Sequence, residues 1–258
     1  MTVALAHSWY MTVRWLRALW RQPIWIAVEL AQPVIWLVLF GQLFKSIVDL
    51  PGFGATSYVD YLTPAVVIMG ALFGGAWNGM GMIDDYKRGV LDRFLVSPAS
   101  RFALVAGAIA QAAVIAMVQA VILVVLGLVL GAEFPGGVPG VLVLLVCTAL
   151  LTAAFGALSN ALALVTRQEE TMIAGVQFVS LPLVFLSSGF MSFSLAPEWI
   201  RDVGAFNPVQ WALLAGRGAL GADPDWGVIL SRMGLLLAFT AVCAWIATRA
   251  FRAYGRSV

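Results

Sequence analysis

The sequence predicts an all-α polytopic membrane protein, and three observations favour this class. The chain is 62% hydrophobic and only 11% charged, whereas soluble domains have about 25% charged residues. A helix needs roughly 20 apolar residues to cross a hydrocarbon core about 30 Å thick. The long apolar runs of this chain also lack the alternation that transmembrane β-strands show. We therefore expect six transmembrane helices, at residues 24–44, 61–83, 102–130, 138–165, 171–191 and 226–248.

Residues 1–23 differ from these runs and predict an N-terminal interfacial helix on the cytoplasmic side. At 100° per residue, Arg14, Arg17 and Arg21 share one helix face, where they would meet lipid phosphates. The tryptophans of this segment would sink into the headgroup boundary. The alternative is a simple positively charged anchor that only fixes the topology.

The distribution of basic residues predicts that both termini lie in the cytoplasm, because cytoplasmic loops are enriched in arginine and lysine. One side of the predicted spans has eleven basic residues, which are Arg14, Arg17, Arg21, Lys87, Arg88, Arg93, Arg101, Arg167, Arg249, Arg252 and Arg256. The other side has four, which are Lys45, Arg201, Arg217 and Arg232. We expect a multi-pass protein of the cell's inner or plasma membrane, with a transmembrane domain at residues 24–249 and a cytoplasmic tail at residues 250–258.

The composition excludes several kinds of site. The chain has one histidine, His7, which excludes a multi-histidine metal site and a Ser-His dyad in the membrane. Cys147 and Cys243 fall in different predicted spans, where a free thiol behaves as a small apolar residue, so no disulfide is expected. No P-loop sequence is present. We expect no cofactor, no nucleic-acid partner and no enzymatic activity in this chain.

A charged segment at residues 84–101, between the second and third predicted spans, predicts a docking surface. Its apolar residues recur at helical spacing and would fill a groove, while its charges would form pairs that fix the register. Gly89 indicates a bend or a close backbone approach, since glycine within a helix costs about 1 kcal/mol relative to alanine. An ordinary charged loop is the alternative. The candidate contact residues are Asp85, Arg88, Gly89, Leu91, Asp92, Arg93, Phe94 and Leu95.

Residues 191–225 form the longest predicted segment on the outer side, and they are apolar enough to dip back into the membrane. Pro197 and Pro208 divide the segment into short pieces, and its tryptophans would hold those pieces at the headgroups. We interpret it as a re-entrant lid, with a surface loop that has no gating role as the alternative. The candidate gating residues are Gly189, Pro197, Trp199, Asn207, Pro208 and Trp211.

The two segments together resemble one known family. The order acidic-x-x-x-Gly-x-Leu-acidic-x-Phe-Leu-x-Ser-Pro at residues 85–98 resembles the segment between the second and third spans of ABC-2 type transporter permeases. Ser188, Gly189 and Phe190, residues 195–200, Asn207, Pro208 and Arg217 are similar to the extracellular re-entrant region of that family, and bacterial drug-resistance or polyketide-export permeases are the nearest members.

The resemblance implies an ATP-driven exporter made of two permeases and two separate ATP-binding subunits, which would hold the ATP and the magnesium. The second permease would be another copy of this chain or a related one. Residues 85–98 would form the coupling helix that sits in a groove of the ATP-binding subunit, and the re-entrant helices would close the outer end of the route.

Polar residues within the predicted spans are the candidates for a substrate path, because they cost free energy in lipid and should face protein or water. Helix packing is the alternative for each, since such contacts are common. Few charges lie in the spans, which favours an amphipathic or apolar substrate such as a drug or a lipid. The path candidates are Gln32, Asn78, Gln111, Asn160, Gln177 and Ser187, and Glu29, Gln119, Ser159 and Ser188 are further polar residues of the spans.

Two other classes fit the sequence less well. A secondary transporter or a channel requires charged or helix-breaking elements at the bilayer midplane, and the sequence shows no internal repeat or paired broken helices. A membrane-embedded enzyme requires a cluster of acids, histidines or nucleophiles at membrane depth. Asp84 and Asp85 lie instead at the end of a span beside Lys87 and Arg88, where ion pairing is the more natural role.

The predicted orientation can be tested with single cysteines. A cysteine at Ser97 should be shielded from a membrane-impermeant thiol reagent in intact cells, whereas a cysteine at Ser194 should react, because the basic residues place these positions on opposite sides of the membrane. Both should react in permeabilised cells. Labelling of the Ser97 position in intact cells would reverse the predicted topology.

Overall fold

A computed structural model describes residues 23–50, 53, 57–88 and 101–254, and for residues 23–29, 85, 101–105 and 251–254 it describes the backbone alone. These parts of the chain are helical and contain no β-strand. Short 3-10 turns occur at Lys45–Asp49 and Phe193–Leu195. The α-helices are α1 (Pro23–Leu43), α2 (Tyr58–Ala76), α3 (Gly79–Lys87), α4 (Arg101–Val129), α5 (Gly137–Thr166), α6 (Glu169–Phe185), α7 (Glu198–Gly204), α8 (Pro208–Leu220) and α9 (Trp226–Tyr254). The predicted all-α class is thus confirmed for the described residues.

Four stretches of the described chain are long and apolar enough to cross a membrane: Tyr58–Asp84, Ala106–Val129, Gly137–Thr166 and Trp226–Ala250. They coincide with the second, third, fourth and sixth predicted spans. The apolar part of α1 whose side chains are described, Leu30–Leu43, is shorter, and α6 has 17 residues. The predicted interfacial helix at residues 1–23 lies outside the described residues except for Pro23.

The helix at the fifth predicted span ends at Phe185 rather than at residue 191. Two side chains bind the carbonyl groups at this helix end. Ser187 Oγ donates to Val184 O at 2.6 Å, and Asn207 Nδ2 donates to Leu183 O at 2.7 Å and to Leu186 O at 3.1 Å. The last carbonyl groups of a helix need such partners, and here a residue 21 positions beyond Leu186 provides one.

The second predicted span is divided in two by a break at Trp77 and Asn78, between α2 and α3. Ser159 of α5 binds the backbone on both sides of this break. Its hydroxyl donates to Ala76 O at 2.5 Å, and its oxygen accepts a hydrogen bond from Gly79 N at 2.9 Å. Unpaired backbone groups are costly in a membrane, so Ser159 stabilises the break.

Close backbone packing joins α2 and α3 to α5. A Cβ atom at Gly75 would lie 2.6 Å from Thr152 O, and one at Gly79 would lie 2.5 Å from Ser159 O. Small residues at such contacts let transmembrane helices approach closely. The helix α5 also packs against α4, α8 and α9, so it is the central helix of the bundle.

The helices define two ends of the bundle. At the first, called the Lys87 end, Lys87 Nζ forms an ion pair with Glu169 Oε1 at 2.6 Å, and this contact raises the pKa of Lys87. The first residues of α4 and the last residues of α5 and α9 lie at the same end, as the chain direction requires. The opposite end, called the Ser188 end, carries the start of α2 and the segment from Leu186 to Asp225.

The packing at Gly79 predicts a difference between two glycines of the same helix. Gly79→Ala should lower the free energy of unfolding in detergent by about 2 kcal/mol, the typical cost of overpacking, because the new methyl group meets the Ser159 backbone. Gly81→Ala is the matched control, since a Cβ atom at Gly81 meets nothing within 4 Å. Equal stability of the two variants in thermal or denaturant unfolding would contradict the proposed contact.

Candidate functional site

A cavity of about 680 Å³ lies between α1, α2, α4 and α6. Five amide side chains line it, and they come from all four sides: Gln32, Asn78, Gln111, Gln119 and Gln177. Four of them are among the predicted path residues, and Gln119 is one of the further polar residues of the spans. The structure therefore brings together amides that are up to 145 positions apart in the sequence.

The rest of the cavity wall is apolar, with aromatic rings and bare backbone. Trp36, Phe73, Trp77 and Phe185 contribute the rings. Gly70 and Gly74 lie one turn apart on α2 and line the cavity. The backbone is open at Gly74, whereas the Gln119 amide lies across Gly70. Apolar pockets with a few polar groups, in the range of 300–1,000 Å³, are typical for drug-sized ligands.

The two remaining path candidates lie outside this wall. Asn160 of α5 donates from Nδ2 to Asn78 Oδ1 at 2.8 Å, while Asn78 Nδ2 donates to Ala108 O of α4 at 3.3 Å. Asn160 therefore orients a cavity residue through a hydrogen bond. Ser187 caps α6 near the Ser188 end, as described above.

The residues Ser187–Phe190, called the Ser188 turn, are bound by side chains from two distant helices. Tyr58 and Tyr61 of α2 donate from their hydroxyls to Phe190 O at 3.2 Å and to Ser188 O at 2.5 Å. From α8, Gln210 Oε1 accepts a hydrogen bond from Ser188 N at 2.7 Å. The turn is thereby held between the start of α2 and α8.

Arg217 of α8 is the central cation of this arrangement. Its guanidinium lies 3.7 Å from the centroid of the Tyr61 ring and donates to Tyr61 O at 3.0 Å and to Ser188 O at 3.2 Å. A cation that is removed from water requires such compensation by rings and carbonyl groups. The sequence placed Arg217 among four basic residues that flank the spans on the outer side. Its partners Tyr61 and Ser188 are far from it in the sequence, so no local pattern predicts these contacts.

Most predicted gating residues make defined contacts in or near the Ser188 turn and α8. A Cβ atom at Gly189 would lie 2.5 Å from the terminal methyl of Met69, so a side chain there would displace the end of Met69. Asn207 accepts a hydrogen bond from Val209 N at 2.9 Å and caps α8, whose first residue is Pro208. Trp211 Nε1 donates to Ala205 O at 2.7 Å. Pro197 and Trp199 lie at the start of α7 and are exposed.

The Ser188 turn also approaches the cavity through a cluster of aromatic rings. Phe190 has its ring centroid 5.2 Å from that of Trp36, 5.9 Å from that of Phe40 and 6.3 Å from that of Phe185. Trp36 and Phe185 are themselves part of the cavity wall. The Phe190 ring therefore connects the cavity with the Ser188 turn.

The predicted docking segment falls largely outside the described residues, which include Asp85 and Arg88 but none of Gly89, Leu91, Asp92, Arg93, Phe94 and Leu95. Asp85 lies within α3, and Arg88 follows the last residue of that helix. Because α3 begins at the break beside Asn78, one short helix leads from the cavity to the start of the docking segment.

In the described part of the chain, long apolar helices thus surround a cavity that is lined by amides. The chain belongs to the ABC-2 type transporter family, whose family model matches residues 7–220. This confirms the family that the resemblance indicated.

Several named relatives are similar over most of the chain. A daunorubicin resistance ABC transporter permease protein of Streptomyces coeruleorubidus is 25% identical over 247 residues, which cover 93% of this chain and 81% of that protein. A doxorubicin resistance ABC transporter permease protein of Mycobacterium tuberculosis is 25% identical over 245 residues, with 93% and 86% covered. The transport permease ycf38 of Porphyra purpurea is 26% identical over 208 residues, with 80% and 71% covered.

The contacts of Arg217 predict a large effect of its removal. Arg217→Ala should lower the free energy of unfolding by about 2–3 kcal/mol, because charge-assisted hydrogen bonds to Ser188 O and Tyr61 O are lost. Arg201→Ala is the matched control, since Arg201 is exposed on α7. Thermal unfolding in detergent measures both variants. If they melt at the same temperature, Arg217 does not hold the Ser188 turn.

Proposed function

We propose that this chain is the transmembrane subunit of an ATP-driven exporter that moves an amphipathic or apolar substrate out of the cell. A separate ATP-binding subunit hydrolyses the ATP, and this chain is non-catalytic. Membership of the ABC-2 family and the names of relatives as drug-resistance ABC transporter permeases support the proposal. The observation that carries the proposal is the amide-lined cavity between the apolar helices.

The cavity serves in this proposal as the substrate chamber. Gln32 and Gln177 are exposed beside it on α1 and α6, and amides exposed to lipid would be costly. A bound substrate or a second protein surface would satisfy them. Apolar and aromatic wall residues would bury the apolar part of the substrate, and the amides would bind its polar groups.

The Ser188 turn and the re-entrant helices close the outer end of this chamber. Phe190 of the turn has its ring against Trp36 and Phe185 of the cavity wall. In this proposal, Gly189, Asn207 and Pro208 fix the path of the chain around this ring. The helix α7, which contains Trp199, is largely exposed at this end. Release of the substrate then requires separation of the Phe190 ring from its aromatic neighbours.

The segment at residues 85–98 transmits the conformational change of the ATP-binding subunit to the membrane domain. A subunit bound to Leu91, Phe94 and Leu95 would displace the end of α3, and α3 meets the chamber at Asn78. Ser159 binds the backbone on both sides of the break and so joins α3 to α2 beside the chamber wall. Movement at the Lys87 end is thereby coupled to the chamber wall.

The assembly contains two permease subunits and two ATP-binding subunits. The second permease is another copy of this chain or a related one. Each permease has six spans in the inner or plasma membrane, in contact with lipid, and has both termini and the Lys87 end in the cytoplasm. The eleven basic residues at that side support this orientation.

The docking segment provides the decisive test. The double reversal Asp92→Arg with Arg93→Asp, and separately Phe94→Ala, should weaken binding of the ATP-binding subunit by about 2 kcal/mol, or roughly thirtyfold, as expected for a buried interface anchor. Co-purification, ATP hydrolysis in proteoliposomes and export of a fluorescent substrate should fall together, while membrane insertion is retained.

The matched control is Asp202→Arg, a charge reversal on exposed α7 at the opposite end. It should leave binding of the ATP-binding subunit unchanged. Normal assembly and normal export by the docking-segment variants would refute the coupling role of this segment. Failure of the wild-type chain to associate with any ATP-binding subunit encoded beside it would refute the proposed function itself.

A further inference from the structure

The charges of the residues around the cavity limit the kind of ligand that can bind, beyond the requirement that the ligand be amphipathic. Every residue that the structure describes in the wall is uncharged. A charged ligand in this position would have no counter-charge from these residues, and an unpaired charge in an apolar environment carries a large free-energy cost. Amides can donate and accept hydrogen bonds, so they match neutral hydroxyl, carbonyl and amide groups.

The cavity wall has an open position at which a flat ring can lie against the backbone of α2. Gly70 and Gly74 present bare backbone on one side of α2. A Cβ atom at Gly70 would lie 3.2 Å from Gln119 Nε2, so the Gln119 amide lies across this glycine, whereas a Cβ atom at Gly74 meets nothing within 4 Å. The surface at Gly74 is therefore open and has no side chain that would prevent a ring from lying against it.

Two aromatic residues lie close to Gly74 in the sequence, one in α2 and one in the break that follows it. Phe73 precedes Gly74, and Trp77 follows it by nearly one turn, and both line the cavity. Trp36 of α1 lines it as well. Aromatic rings bind other ring systems by offset stacking or edge contacts. The bare position at Gly74 is thus bordered by groups that favour a ring system over a flexible alkyl chain.

From these observations we infer that the cavity binds an uncharged, flat ring system that lies against Gly74 and forms hydrogen bonds with the Gln111 and Gln119 amides. This inference rests on the proposed function, since it names the substrate class of the same chamber. Gly74 is the specificity-determining residue, because any side chain there would occupy the space of the ring.

Two pairs of fluorescent probes can test this inference with the full chain in lipid nanodiscs. Each pair consists of a planar aromatic ring system that carries an alkylamine and the N-acetyl amide of the same compound, namely daunorubicin with N-acetyldaunorubicin and 9-aminomethylanthracene with its acetamide. The two members share their ring system and differ in charge at neutral pH. Fluorescence polarisation, corrected with empty nanodiscs, gives the affinities, and we expect each amide to bind at least tenfold more tightly than its amine.

Variants of the wall locate the binding. Gly74→Leu should reduce the affinity for both amides more than tenfold, and Gln111→Leu or Gln119→Leu should each reduce it about fivefold, the loss expected for one neutral hydrogen bond. The matched control is Gly234→Leu on α9, where a Cβ atom also meets nothing within 4 Å. Thermal unfolding confirms that both glycine variants are folded.

Three results would overturn the inference. Tighter binding of the amines, or an amine affinity that depends on Glu29 one turn before Gln32, would show that the chamber selects cations. Equal affinities of the Gly74→Leu and Gly234→Leu variants would place the ligand elsewhere. Absence of binding by all four probes would exclude flat neutral rings as ligands. In each of these cases the proposed function is judged separately, by association with the ATP-binding subunit.

Discussion

The backbone contact between α5 and the α2–α3 pair is the constraint on which the other features depend. Gly75 and Gly79 lie so close to α5 that a side chain at either position would meet its backbone. Without this close approach of the helices, Ser159 could not bind both Ala76 O and Gly79 N. The break at Asn78 would then leave unpaired backbone groups within the membrane. The same contact directs Gly70 and Gly74 of α2 toward the cavity, away from α5.

A second region of polar contacts stabilises the opposite end of the bundle. Arg217 and Gln210 of α8 bind the Ser188 turn, and so do two tyrosines of α2. Each of these groups would be costly if it were buried alone, and together they satisfy one another. The helix α8 is therefore a structural part of the bundle, and the exposed helix α7 lies at its periphery.

The cavity lies between these two regions and has a connection to each. Asn78 joins it to the break and to α3, while Phe185 and Trp36 join it to the Phe190 ring of the Ser188 turn. In the proposed exporter, this arrangement gives a chamber whose two ends respond to different parts of the chain. Movement of α3 would act from the Lys87 end, and release of Phe190 would open the other.

The sequence alone determined the helical class, the family and the approximate positions of the long apolar helices, because composition and helical length depend on local residues. It also identified the amides Gln32, Asn78, Gln111 and Gln177, since polar residues stand out within apolar runs. Only the tertiary structure decided that these four share a cavity while Asn160 and Ser187 do not line it. The end of α6 at Phe185 and the role of Arg217 likewise depend on partners more than 20 residues away, and no local pattern specifies such pairings.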